Sequence, residues 1–163
     1  MFKKQIDFKL LDPILYKYNK LNTSEETSSN KYMRYFISGH GWLTKEQFNK
    51  YYAPILERIL EYDLSNSEFV VGDFKGVDIM AQQWLVDHGK AEQLTVYHMF
   101  DKPRNIATGC EHYCDIKTVG GFKSDEERDA AMTAASDFDI AFVFRKNSGT
   151  ERNIKRRHER SLD

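Results

Sequence analysis

Three short runs of this chain combine glycine with hydroxyl, carboxylate and aromatic side chains in a pattern suited to holding an anion. They are Ser38-Gly39-His40-Gly41-Trp42, Gly72-Asp73-Phe74-Lys75-Gly76-Val77-Asp78 and Asn147-Ser148-Gly149-Thr150-Glu151-Arg152-Asn153. Glycine lets the backbone approach a ligand closely, and a helix start offers unpaired N–H groups at the positive end of its dipole. Phosphate is the chemistry such groups serve best. Ser38 and Thr150 carry hydroxyls, and Trp42 a planar face with an N–H donor. Each feature also has a purely structural reading. Glycine after a strand makes a turn, Trp42 can pack at a helix entry, and Asp78 can cap a helix instead of accepting a ribose hydroxyl. Arg128 either faces a phosphate or pairs with nearby Asp125 or Glu127. Neither the Walker lysine spacing nor G-x-G-x-x-G occurs.

If the bound molecule is also cleaved, an N-glycosidic or phosphoribosyl bond needs a carboxylate near the anomeric carbon. Asp78, Glu111 and Glu151 are the candidates. Cys110-Glu111-His112-Tyr113-Cys114, with His98 upstream, lacks the usual spacing of a tetrahedral zinc site. Neither a metal nor a resident cofactor is expected. The run Arg152, Lys155, Arg156, Arg157 and Arg160 either complements a helix dipole or binds single-stranded nucleic acid.

The runs sit where elements must meet. Tyr35 to Ser38, Glu68 to Val71, Leu94 to Met99 and Asp139 to Phe144 read as four strands. Thr44 with Gln47, and Ser124 with Glu127, have capping-box spacing. The first box opens a helix with Phe48, Tyr52, Ile55, Leu56, Ile59 and Leu60 on one face, kinked at Pro54. A second helix carries Val77, Met80, Ala81, Trp84 and Leu85, with Gly89 as its stop. Residues 101–123 read as a long irregular stretch, serving as a lid or a subunit contact. Strand–helix alternation predicts an α/β, Rossmann-like fold: a mostly parallel central sheet with helices on both faces. Ligands then bind beyond the carboxyl ends of the strands, where all three runs lie.

The chain has 163 residues, with 24 Lys+Arg against 25 Asp+Glu and a net charge of −1. That is one domain's worth, without the positive excess of a nucleic-acid coat protein. Hydrophobic residues make up 40%, enough for a core, yet no run is long enough to cross a membrane. Charges interrupt the N-terminus, and only two cysteines are present, which fits a reduced, cytoplasmic setting. Residues 1–31 form an extension and polar linker ahead of a domain spanning 32–163.

The ordered motifs resemble the SLOG superfamily, which includes the Rossmann domain of DNA-processing protein A and the LONELY GUY enzymes. Gly72-Asp73-x-x-Gly76-Val77-Asp78 with Ala81 is similar to its G-[GD]-A-x-G-x-D-x-x-A signature. Upstream, a strand followed by Ser38-Gly39-His40 and Trp42 is similar to strand, G-S-R and aromatic. Downstream, Arg128-Asp129-x-x-Met132, Ser136-Asp137 and Ser148-Gly149-Thr150-x-x-Asn153 resemble R-N-x-x-M, A-D and R-G-T-x-x-[NT] of small stand-alone members. The likeness runs from about Tyr32 to Arg157. It implies a Rossmann-like domain that binds a nucleotide or nucleotide-derived ligand, with backbone N–H groups of Gly72 to Asp78 and of Ser148 to Thr150 around phosphate. It also implies a homodimer, to which the Ala-rich helix after Ser124 is suited. His40 stands where the family has arginine, exchanging a permanent cation for one that titrates near neutrality. Asn153 stands where the hydrolase branch has glutamate, so the plainest expectation is binding. Nucleotide hydrolysis and single-stranded nucleic-acid binding are the alternatives.

Overall fold

The computed structural model describes residues 33–62, 67–109 and 116–162. The expectations for residues 1–31, Glu111, and the cysteines at 110 and 114 with His112 fall outside these residues. Five strands form one sheet: β1 (Met33–Ile37), β2 (Ser67–Gly72), β3 (Leu94–Met99), β4 (Lys117–Phe122) and β5 (Phe138–Ile140). Their spatial order is β4-β3-β2-β1-β5, and every pairing is parallel. The helices are α1 (Lys45–Tyr51), α2 (Ala53–Tyr62), α3 (Val77–Asp87), α4 (Asp125–Ala134) and α5 (Gly149–Ser161). This is the expected α/β architecture.

Strand pleating distributes side chains to the two faces. On β1 and β2, Tyr35, Ile37, Phe69 and Val71 join the main core with Phe48, Leu56, Val77 and Leu85 of α1, α2 and α3. Phe36 and Val70 point the other way and meet Met132 of α4. The burial of β2 is near-continuous, as a central parallel strand covered on both sides requires.

Four details differ from the sequence reading, each for a physical reason. The expected kinked helix is two helices, α1 and α2, meeting at Tyr52; Pro54 sits in the first turn of α2, where its missing N–H costs no bond. The Thr44–Gln47 capping box is complete, whereas Glu127 accepts from Lys123 N–H instead of returning to Ser124. Within the stretch read as irregular lies a fifth strand, β4, an edge strand whose residues are nearly all exposed and which therefore shows no apolar alternation.

The last difference concerns the strand expected from Asp139 to Phe144, since β5 ends at Ile140. Ser38 N–H still reaches Ile140 O at 3.1 Å. The next rung would join Phe142 N–H to Ser38 O. The buried Tyr52 hydroxyl is inserted there, accepting from Phe142 N–H at 3.1 Å and donating to Ser38 O at 2.8 Å. One rung further, Phe144 N–H donates to His40 Nε2 at 2.9 Å. Two side chains thus replace ladder bonds, and β1 and β5 part just beyond their carboxyl ends.

Candidate functional site

That parting lies where strand order reverses: from β1 the chain builds the sheet outward through β2, and β5 returns to the opposite side. Open parallel sheets bind ligands at such a switch point. A cleft of about 340 Å³ lies here.

Most of the sequence-derived candidates line it. From the β1 end come Ser38, Gly39, His40 and Trp42; from the α5 entry come Ser148, Gly149 and Thr150; Asp78 and Arg128 complete the wall. Gly72, Asp73, Gly76 and Val77 lie outside the lining. Glu151 is also outside it, and its carboxylate is held low by Lys155 at 2.9 Å.

The glycines play another part than the one read from sequence. A Cβ on Gly39 would strike the Tyr52 hydroxyl and Val77, and one on Gly72 would strike Asp78 and the Arg128 guanidinium. At Gly76, φ is +74° and a Cβ would lie 2.5 Å from His40 O. The space left by each missing side chain is filled by protein. In the β2–α3 run two of the N–H groups are taken by protein: Phe74 N–H donates to Asp78 Oδ2 at 3.0 Å and Val77 N–H to His40 O at 3.3 Å. The α5 entry differs. Ser148 caps the helix through Glu151 N–H at 3.2 Å, and no protein partner is recorded for the N–H groups of Gly149 and Thr150 among the described residues. A Cβ on Gly149 would meet only Arg152, at 3.7 Å.

His40 is not the cation read from its sequence position. Its Nε2 accepts a backbone N–H, which requires the neutral ring, and burial together with Arg145 lowers its pKa from 6.5. The ring stacks on Trp42 at 4.9 Å, leaving Trp42 49% exposed at the rim. The Ser38 hydroxyl is buried and has no hydrogen-bond partner among the described residues.

Arg128 resolves as a buried hub, which sequence reading placed either on a phosphate or in a surface pair. Its Nη1 donates to Asp73 at 2.7 Å and lies 3.2 Å from Asp125, while Nη2 donates to Asp129 at 2.9 Å. Asp73 also takes Arg104 through Nε, Nη2 and the backbone N–H, and against the upward push of burial these arginine bonds hold it down at about 2. Among the described residues Asp78 receives one hydrogen bond, from Phe74 N–H, with Arg128 Nη2 at 3.8 Å, and burial pushes it up to about 7. Asp129 is likewise raised, chiefly by burial.

Sequence reading did not select Lys75, Asp129, Arg145 or Asn153, all of which line the cleft. For Asp129 a signal existed: Asp125, Arg128, Asp129 and Met132 have i, i+3, i+4, i+7 spacing, one face of α4. The basic residues of α5 are largely engaged within the fold. Arg157 binds Ser136 and Asp139, Arg160 binds Thr133 O, and Arg156 binds Asn153. The segment read as a lid is fastened down where it is described, Asn105 to Asp73 O and Ala107 N–H to Gln82.

No helix among the described residues is long and apolar enough to cross a membrane, and no group of three or more metal-ligating side chains converges among them. Comparison of the chain with protein-family models, with curated proteins and with solved structures gives no match.

Proposed function

We propose that the chain binds a nucleotide or nucleotide-derived anion in the cleft between β1 and β5. The observation that carries this reading is the meeting, at one switch point, of the open first turn of α5 with the unpartnered Ser38 hydroxyl. Lys75, Arg145 and Arg152 line the same cleft without a carboxylate partner among the described residues. Trp42, half exposed at the rim, offers a stacking surface. The cleft's volume lies at the lower end of small-ligand sites, a size suited to a mononucleotide.

The test is thermal melting with a panel of nucleoside monophosphates at millimolar concentration, with inorganic phosphate as control. A ligand selective for the folded state raises the melting temperature. At least one nucleotide is expected to do so more than phosphate, and Arg145→Glu, an exposed reversal of charge, is expected to weaken that binding about tenfold, roughly 1.4 kcal/mol. No shift with any nucleotide overturns the reading.

Asp78 favours a second reading, hydrolysis of the nucleotide's N-glycosidic bond. A buried cleft carboxyl at about 7 suits proton transfer. Release of free base that disappears in Asp78→Ala would select it over binding alone; intact nucleotide after long incubation would exclude it.

A further inference from the structure

We propose that Asp78 meets its ligand as a neutral carboxylic acid, donating a hydrogen bond from Oδ1 to an acceptor on the ligand, so that nucleotide binding takes up a proton. This rests on the nucleotide reading of the cleft and specifies one of its contacts.

The geometry starts from an imbalance. Four carboxyl groups, Asp73, Asp78, Asp125 and Asp129, share two guanidinium groups, Arg104 and Arg128. Arg128 is drawn toward the other carboxylates: Nε and one N–H of Nη2 serve Asp129, and Nη1 serves Asp73. Its 3.8 Å approach to Asp78 is too long for a hydrogen bond. The one hydrogen bond Asp78 receives among the described residues, from Phe74 N–H, occupies Oδ2. Oδ1 has no protein partner among the described residues and is not fully buried. It is therefore the oxygen free to carry a proton at the cleft wall, and an ionised Asp78 would repel the anion that Lys75, Arg145 and Arg152 attract. Burial, with Asp129 and Asp73 nearby, raises the carboxyl to about 7, which makes the neutral form accessible near neutrality.

The other charged groups around Asp78 are Arg128, Asp125 and Asp129 of α4, Asp73 and Lys75 of its own loop, and Tyr52 at the α1–α2 junction. Across the cleft stand Arg145, Arg152 and His40. His40 titrates below its ordinary 6.5, under most of the window tested, and Tyr52 is raised above its ordinary 10.

The ligand probe is the methyl diester of AMP, whose single charge does not change over the range. Its Kd, measured by calorimetry, is expected to weaken about tenfold or more from about pH 6 to about pH 8.5, with proton uptake seen in buffers of different ionisation enthalpy. Asp78→Asn keeps an acceptor for Phe74 N–H and gains a permanent donor. It is expected to bind at about pH 8.5 as the parent does at about pH 6, with a flat profile. A flat or inverted profile in the parent, or an undiminished one in Asp78→Asn, overturns the proposal.

A second measurement needs no ligand. A carboxyl raised from 3.8 to about 7 on folding stabilises most below its unfolded pKa and loses that contribution as pH rises through about 7. The melting temperature of the parent should therefore fall across that window more than that of Asp78→Asn. If no nucleotide binds at any pH, the functional reading and the ligand contact fail together, while the melting comparison still decides whether Asp78 holds the proton. If the diester binds with a flat profile, the contact alone fails.

Discussion

Two arginine clusters, one part-buried and one buried, hold the α4–α5 side of this molecule together, and they are built on opposite terms. Arg157 of α5 meets one carboxylate, Asp139, with Nη2 donating at 3.1 Å, and gives its remaining bonds to Ser136 O and Oγ. Arg128 of α4 is claimed by Asp73 and Asp129, approached by Asp125, and left short of Asp78. The first cluster is matched in charge and lies away from the cleft. The second is over-subscribed and lines it. A matched buried pair locks elements together, whereas a surplus of buried carboxyls is tolerated where protons or ligand groups complete the balance.

The largest way to break this contrast is Arg128→Met. Removing the shared guanidinium leaves Asp73 and Asp78 buried, with Asp129 beside them, and takes away the guanidinium that Asp73 and Asp129 share. A loss of about 3–5 kcal/mol in urea unfolding near neutral pH is expected, partly recovered in mild acid as the raised carboxyls take up protons. A loss much smaller than this would mean that Arg128 is not the group that makes the cleft's acid cluster tolerable. Asp139→Asn should cost less, about 1 kcal/mol, because the amide still accepts from Arg157 and Ser136 still holds the guanidinium. It should leave nucleotide affinity unchanged; a change there would show that the two clusters communicate. The smallest effect is assigned to Glu151→Ala, which removes an exposed pair with Lys155 outside the cleft. Neither the urea midpoint nor nucleotide binding should move. A loss of binding would return Glu151 to the site and reopen the comparison.

Sequence reading reached the parallel α/β sheet because its interior strands carry unbroken apolar runs such as Phe69-Val70-Val71. It missed β4, since Gly120 and Gly121 sit in an edge strand that buries almost nothing. It drew Ser38, His40, Trp42, Asp78 and Ser148 to Thr150 to one sheet edge, because each lies in a run that follows a strand and leads into a helix. What a missing side chain leaves room for was not legible. At Gly39 and Gly72 the occupant comes from residues distant in sequence, Tyr52 and Arg128, while Gly149 stays open. Nor was the charge balance around Arg128 legible, since Asp73 reaches it from 55 positions away.

The phenol of Tyr52 has a consequence for the mouth of the crevice. It acts as a spacer of fixed length wedged between two chains that would otherwise zip closed, and its raised pKa keeps it both donor and acceptor across the physiological range. The width of the opening is thus set by the reach of one aromatic ring rooted in the core on Phe48 and Phe142, so the aperture is inherited from the packing beneath it and stands open before any guest arrives.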